Sequence, residues 1–312
     1  MNPTAGRSQL ALLTALGAIF SVLFVFFGAP FLRLIRNVYG AKIYWSIGAL
    51  LFVLLSVAML FPLSFLIGAN WLVVGIYSEL EARGRAHFWS AALAIILSTT
   101  FLLAGTFYSM KAIGIDIRED LHKSIDSVLA QVKDPAASKD EPTAFLSGMS
   151  LNADLVISQI PSVTVIAMMI SLAYGLMMER RIALFFKLPF EQIASRMSLL
   201  DFRTPDGLVW VAMLAFLGSF MKLHSQPLSL LSMNLFNVML GIYFFQGLAI
   251  QEVCLQSFRA GPFLRTVVYF VIVFQLFFVL SAVGFIDYWA DFRRRLKNLR
   301  DKRRKQNNGE HI

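Results

Sequence analysis

Apolar runs of about 15 to 30 residues recur along the whole chain, separated by short charged segments. The clearest covers residues 43–77, thirty-five consecutive positions without a charge. A helix rises about 1.5 Å per residue and a hydrocarbon core is about 30 Å thick, so this run is long enough to cross twice, breaking near Phe61-Pro62. The same reasoning gives about eight spans, at 10–31, 43–60, 62–77, 87–110, 160–178, 207–222, 227–251 and 264–287. In hydrocarbon every backbone N–H and C=O needs an internal partner, which leaves helices or closed barrels. The runs lack alternating polarity, and that selects helices. The predicted fold is an all-α polytopic transmembrane bundle, a single integral domain over 1–290 followed by a basic tail over 291–312.

One long stretch breaks the pattern. Within 111–159, Ile113, Ile117, Leu121, Ile125, Val128 and Val132 recur at helical spacing, with Asp116, Glu119, Asp120, Lys123 and Asp126 largely off that face. This predicts an amphipathic helix on the membrane surface or capping the bundle. Residues 133–142 read as a linker by composition.

Candidate chemistry concentrates in the seventh span, the most polar of the set. At 100° per residue, Asn234, Asn237, Gly241 and Glu252 share a face, while Gln246 points away from it. Amides and carboxylates at membrane depth need protein partners or a wet cavity, so this face is expected to look inward. It serves either as a contact for a solute or ion, with Asn234, Asn237, Gln246 and Glu252 binding, or as hydrogen-bonding glue between helices. Spans three and six are short and sit beside Pro62, Pro205 and Pro227, as the interrupted helices of transporters do. In the first span Ala11 and Ala15 are four apart, which lets a second helix approach closely, whether a neighbour or a partner protein.

Composition and charge narrow the class. With 57% hydrophobic and 15% charged residues over 312 positions, and a mean hydropathy of +0.67, a soluble domain is excluded. Arg7 precedes an apolar run longer than a signal-peptide core, so a retained first helix is expected. The tail carries nine Lys/Arg against three acids, +6 of the chain's +9. Arg293, Arg294, Arg295, Lys297 and Arg300 are placed to contact anionic lipid headgroups, at about 1 kcal/mol each. Nucleic acid is disfavoured because no aromatic residues interleave the tail's charges. Positive-inside orientation leaves a conflict: with eight spans, a cytoplasmic tail puts Arg33, Arg36, Arg180 and Arg181 outside.

Signals of catalysis are missing. There is no Gly-rich phosphate loop with its lysine, no HExxH and no G-x-S-x-G, and the loop carboxylates Glu79, Glu81, Asp201 and Asp206 have no evident partner. The four histidines are scattered, without metal-ligand spacing, and the single cysteine, Cys254, excludes an intramolecular disulfide. Neither an enzyme nor a cofactor is expected.

The C-terminal third carries a resemblance. Asp201-Phe202-Arg203-Thr204-Pro205, Trp210, Asn234, Gln246-Gly247-Leu248-Ala249 and Gly284-Phe285-Ile286-Asp287-Tyr288-Trp289-Ala290-Asp291-Phe292-Arg293 follow one another in the order of the YybS-like family of uncharacterised bacterial membrane proteins, domain-of-unknown-function family 2232. Thr204 departs from it, standing where an apolar residue is expected, and 111–159 is unusually polar. The resemblance implies a multi-pass protein of the bacterial inner membrane. At fold level the chain is also similar to the S-components of vitamin-uptake transporters, whose first helix docks on a transmembrane coupling protein. By that analogy Ala11 and Ala15 would be the docking pair. The resulting expectation is a transport-related protein that binds a small solute. The alternative is a non-catalytic scaffold or assembly factor whose basic tail grips anionic lipid or a cytoplasmic partner.

Overall fold

The computed structural model describes residues 6–23, 27–114, 117–133, 153–188, 202–221, 225–257 and 261–295, and every regular element among them is helical. In chain order these are α1 (Arg7–Leu23), α2 (Ala29–Tyr39), α3 (Ala41–Val57), α4 (Phe61–Ala82), α5 (His87–Ala112), α6 (Ile117–Lys133) and α7 (Ala153–Phe185). They are followed by α8 (Leu208–Phe220), α9 (Gln226–Ser257), α10 (Pro262–Gln275) and α11 (Phe277–Ala290). Helices α4, α5, α7 and α9 are long and apolar enough to cross a membrane, and α1, α3, α8 and α11 are shorter apolar helices. The fold is an all-α bundle of membrane-protein character. The chain divides into two compact units, Met1–Ala194 and Ser195–Ile312, where the sequence reads as one domain over 1–290.

In the first unit the expected span 10–31 is two helices. The cause is a tight turn at Gly28, where a Cβ would lie 2.0 Å from Ser21 Oγ and 2.6 Å from Gly17 O. Pro30 then sits in the first turn of α2, where its missing N–H costs nothing. Helices α1 and α2 fold back on each other: Phe20 stacks on Phe31 at 5.5 Å, and Tyr39 Oη donates to Gly6 O at 3.3 Å. Leu13, Gly17 and Ser21 form the buried face of α1. Helix α2 is the centre of this unit, with Ala29, Leu32, Leu34 and Ile35 fully buried against α1, α4 and α7.

The expected break near Phe61-Pro62 is present. The chain turns through Ala58, Met59 and Leu60, with Met59 at φ 60°, and α4 begins with Pro62 in its first turn. Helices α3 and α4 are clasped reciprocally, Tyr44 Oη donating to Trp71 O at 2.5 Å and Trp71 Nε1 to Tyr44 O at 3.0 Å. Each aromatic group satisfies a carbonyl on the facing helix and packs its ring at the same time. Glycines make room for other rings: Gly75 faces Trp45, and Gly105 faces Phe65. Ser171 Oγ donates to Asn70 Oδ1 at 2.7 Å, tying α7 to α4 through two fully buried polar groups.

Helix α6 is the expected amphipathic helix. It packs on α7, with Leu121 and Ile125 half-buried and His122 Nε2 3.2 Å from Asp154 Oδ1. Helix α7 starts at Ala153, earlier than the span expected at 160, and runs through Pro161. The linker at 133–142 lies almost wholly outside the described residues.

In the second unit α8 lies along α9, with Val209, Ala212, Met239 and Tyr243 forming its small core. Helix α9 runs 32 residues, longer than the span expected at 227–251. The last expected span, 264–287, is broken at Leu276 (φ −114°, ψ 26°) into α10 and α11. No proline or glycine marks this break.

Candidate functional site

In α2, Arg33, Arg36 and Asn37 fall three and four residues apart and share a face. That face meets the last turn of α4, carrying Glu79 and Glu81, and the later part of α7, carrying Glu179. Arg33 Nε donates to Glu179 Oε2 at 2.8 Å and Arg33 Nη2 to Glu81 Oε2 at 3.0 Å. Asn37 Nδ2 donates to the other oxygen of Glu179, and Arg36 Nε pairs with Glu79 Oε1 at 3.0 Å. Arg33 Cζ lies 5.5 Å from the centre of the Tyr77 ring, and Tyr77 Oη is hydrogen-bonded to His87 Nδ1 at 3.1 Å.

The cluster grades from wet to dry. Arg36 and Glu79 are partly exposed, whereas Arg33 and Glu179 each keep only 1% of their side-chain surface. Three carboxylates face two guanidiniums, a formal charge of −1. Arg33 Nη1 and Glu81 Oε1 are buried and make no hydrogen bond. Leaving a buried polar atom unsatisfied costs about 1–3 kcal/mol, more for a charged group, so these two atoms are conspicuous. Glu79 and Glu81 are expected from the sequence to be loop carboxylates without a partner, and Arg33 and Arg36 to follow the first span. The structure corrects this: all four are helical and paired. The available signal was the 33, 36, 37 spacing, which a hydropathy window ending at 31 discards.

A second polar group lies in the other unit. Gln246 Oε1 accepts from Thr204 N at 3.1 Å and Thr204 Oγ1 at 2.6 Å, while Gln246 Nε2 donates to Asp287 Oδ2 at 3.3 Å. Asp287 Oδ1 accepts from Phe292 N at 2.8 Å, which caps the end of α11. Arg293 Nε lies 3.5 Å from Asp287 Oδ2, and Arg293 Nη1 donates to Phe202 O at 2.6 Å.

The polar residues expected to line a site on α9 are not gathered into one. Asn234 and Glu252 are 18 residues apart, which is about 27 Å along a helix. Asn234 Nδ2 donates to Leu230 O of its own helix at 2.9 Å, and Asn237 is half-buried. Glu252 accepts from Tyr269 Oη at 2.7 Å, Gln256 Nε2 at 3.0 Å and Arg265 Nη1 at 3.4 Å. Gln246 belongs to the Thr204–Asp287 group. Ala11 and Ala15 lie on the exposed face of α1. Arg294 and Arg295 are exposed and Arg293 half-buried, while Lys297 and Arg300 lie outside the described residues. Among the described residues no three His, Cys, Asp or Glu are grouped so as to hold a metal.

The family model described as predicted membrane protein, domain of unknown function 2232, matches residues 8–288, and the chain belongs to that family. No curated protein and no solved structure matches it.

Proposed function

We propose that this member of the domain-of-unknown-function 2232 family is a multi-pass protein of the bacterial inner membrane that binds a small solute in a transport-related role. The observation that carries this reading is the Arg33–Glu81–Glu179 cluster. Ionisable side chains drawn together within an apolar helix bundle are costly, and they mark solute or ion pathways more often than they serve packing alone. The partly exposed Arg36–Glu79 pair gives the cluster one open side. Exposure of Ala11 and Ala15 suits a transmembrane coupling protein docking on α1. The reading is one of binding, not of catalysis.

The test is purification of the tagged protein from native membranes in mild detergent, with mass spectrometry of proteins and small molecules together. An enriched metabolite that disappears in an Asn37→Leu variant, or a co-purifying transmembrane coupling subunit or ATPase, supports the reading. Envelope partners alone, with no metabolite, would overturn it.

A second reading, a scaffold whose tail grips anionic lipid, draws on the other unit. There Thr204, Gln246, Asp287 and Arg293 engage one another. Deleting 296–312 leaves the Asp287 cap and the Arg293–Phe202 bond in place. It is expected to lower binding to phosphatidylglycerol vesicles in a salt-sensitive way, at about 1 kcal/mol per cation removed. Unchanged vesicle binding would sink the lipid role.

A further inference from the structure

Helix α6 is held to the first unit lightly. Leu121 and Ile125 are only half-buried where it packs on α7, so apolar burial alone leaves its docking marginal. The polar tie is His122 Nε2, 3.2 Å from Asp154 Oδ1 in the first turn of α7, and 28% and 60% of the two side chains are exposed. Both groups are therefore open to proton exchange. Pro161, two turns beyond Asp154, removes the ladder bond to the Ile157 carbonyl. The turns of α7 that carry Asp154 are thus joined to the rest of that helix by fewer backbone bonds.

Charge on the imidazole decides how strong that tie is, and histidine is the side chain that ordinarily changes charge between about pH 5 and 8. Helix α7 brings Asp154 and no other charge before Glu179. Helix α5, which also packs against α6, brings Lys111 in its last turn. Along α6 itself Arg118, Glu119 and Asp126 lie one turn from His122, and Glu119 is 2.7 Å from Lys123. With Asp154 the acids match the cations, so the 3.2 Å contact rather than the surrounding charge sets the sign. We propose that α6 is a pH-sensitive strap: a protonated His122 clasps Asp154 and holds α6 on α7, and loss of that proton releases it. Docking strengthens as pH falls through the histidine range and weakens as pH rises through it. Helix α5 starts at His87, hydrogen-bonded to Tyr77 beside Arg33, and its 26 residues carry the chain about 39 Å to the end opposite the arginines. The positive-inside rule predicts that this end lies outside the cytoplasm, where pH is not held steady by the cell. The clasp needs no solute, so it stands or falls separately from the binding reading above.

The test is double electron–electron resonance on the full-length protein in detergent. Spin labels sit at Ser127→Cys on α6 and Met177→Cys on α7, both exposed positions, in a Cys254→Ala background. From about pH 5 to about pH 8 the ratio of docked to released molecules is expected to fall about two- to fivefold, the worth of a part-exposed ion pair. His122→Gln and Asp154→Asn should each abolish the response and leave the ratio near its value at the alkaline end. His87→Gln, at the opposite end of α5, should keep it. A distance distribution that does not change with pH, or a change that persists in either clasp variant, overturns the proposal. So does release at the acid end, or loss of the response in His87→Gln.

Discussion

Arg33 Nε and Nη2 are committed to two different carboxylates, so removing the guanidinium strands both Glu179 and Glu81 in a dry site. Breaking a buried pair this way costs about 3–5 kcal/mol, whereas exposed pairs are worth about 0–1 kcal/mol. Arg33→Met is therefore expected to destabilise the protein several-fold more than Arg36→Ala in a denaturant titration in mixed micelles. Equal losses would mean that Arg33 is not the keystone of the cluster. Gln246 presents the neutral counterpart: its one carbonyl oxygen satisfies both the backbone and the hydroxyl of Thr204. Gln246→Leu leaves those donors and Asp287 short of a partner, at about 1–3 kcal/mol, and Thr204→Val should cost less because the backbone bond survives. This also explains Thr204 where the family resemblance led to an apolar residue. The hydroxyl is matched to the amide that helical-wheel reasoning had set apart from the other α9 polar residues. Such a match joins positions 42 apart in sequence, and no periodicity can display it.

At the scale of elements, helix identity and approximate length were legible because hydrocarbon thickness and backbone satisfaction leave so few alternatives. The breaks were less legible. Pro62 announced the turn before α4, since proline in a first turn is a local and recognisable device. Gly28 gave no such warning, because its role is to let α2 fold back onto Ser21 and Gly17, which is a tertiary contact. Leu276 carries no signal of its own. A related device holds α9 against α11. A Cβ on Gly284 would lie 2.0 Å from Tyr243 O, and one on Gly247 would lie 2.2 Å from Leu280 O, so backbone meets backbone with no side chain able to yield. Gly284→Ala is expected to cost at least the 1–3 kcal/mol typical of overpacking, seen as a lower Tm and faster proteolysis of the second unit. Gly207→Ala, with nothing within 4 Å of its Cβ, should be near neutral. Equal melting of the two variants would count against a close crossing.

Across the whole molecule, the α1–α2 fold-back removes the orientation conflict that eight simple spans create. Because Tyr39 reaches Gly6, the end of α2 returns to the side where α1 began, and Arg36 and Lys42 lie at the start of the chain's first unit rather than across from it. Glu81 and Glu179 both reach Arg33, so Arg83, Arg85, Arg180 and Arg181, which follow them in sequence, gather at that same end. The turn at 58–60 carries no charge and lies at the far end of α3, about 25 Å away along its 17 residues. In the second unit, taken by itself, Arg293 touches Phe202, so Arg203 and Arg293–Arg295 share an end. The positive-inside rule then makes the same prediction for each unit, a cytoplasmic basic end. In a Cys254→Ala background, a membrane-impermeant maleimide should label Met59→Cys in intact spheroplasts. Arg85→Cys and Arg294→Cys should label only after permeabilisation. Labelling of Arg85→Cys from outside would invert the first unit and place the Arg36–Glu79 mouth of the cluster in the periplasm. The solute proposed to bind there would then have to arrive from the opposite side, and the proposed route of binding would have to be redrawn.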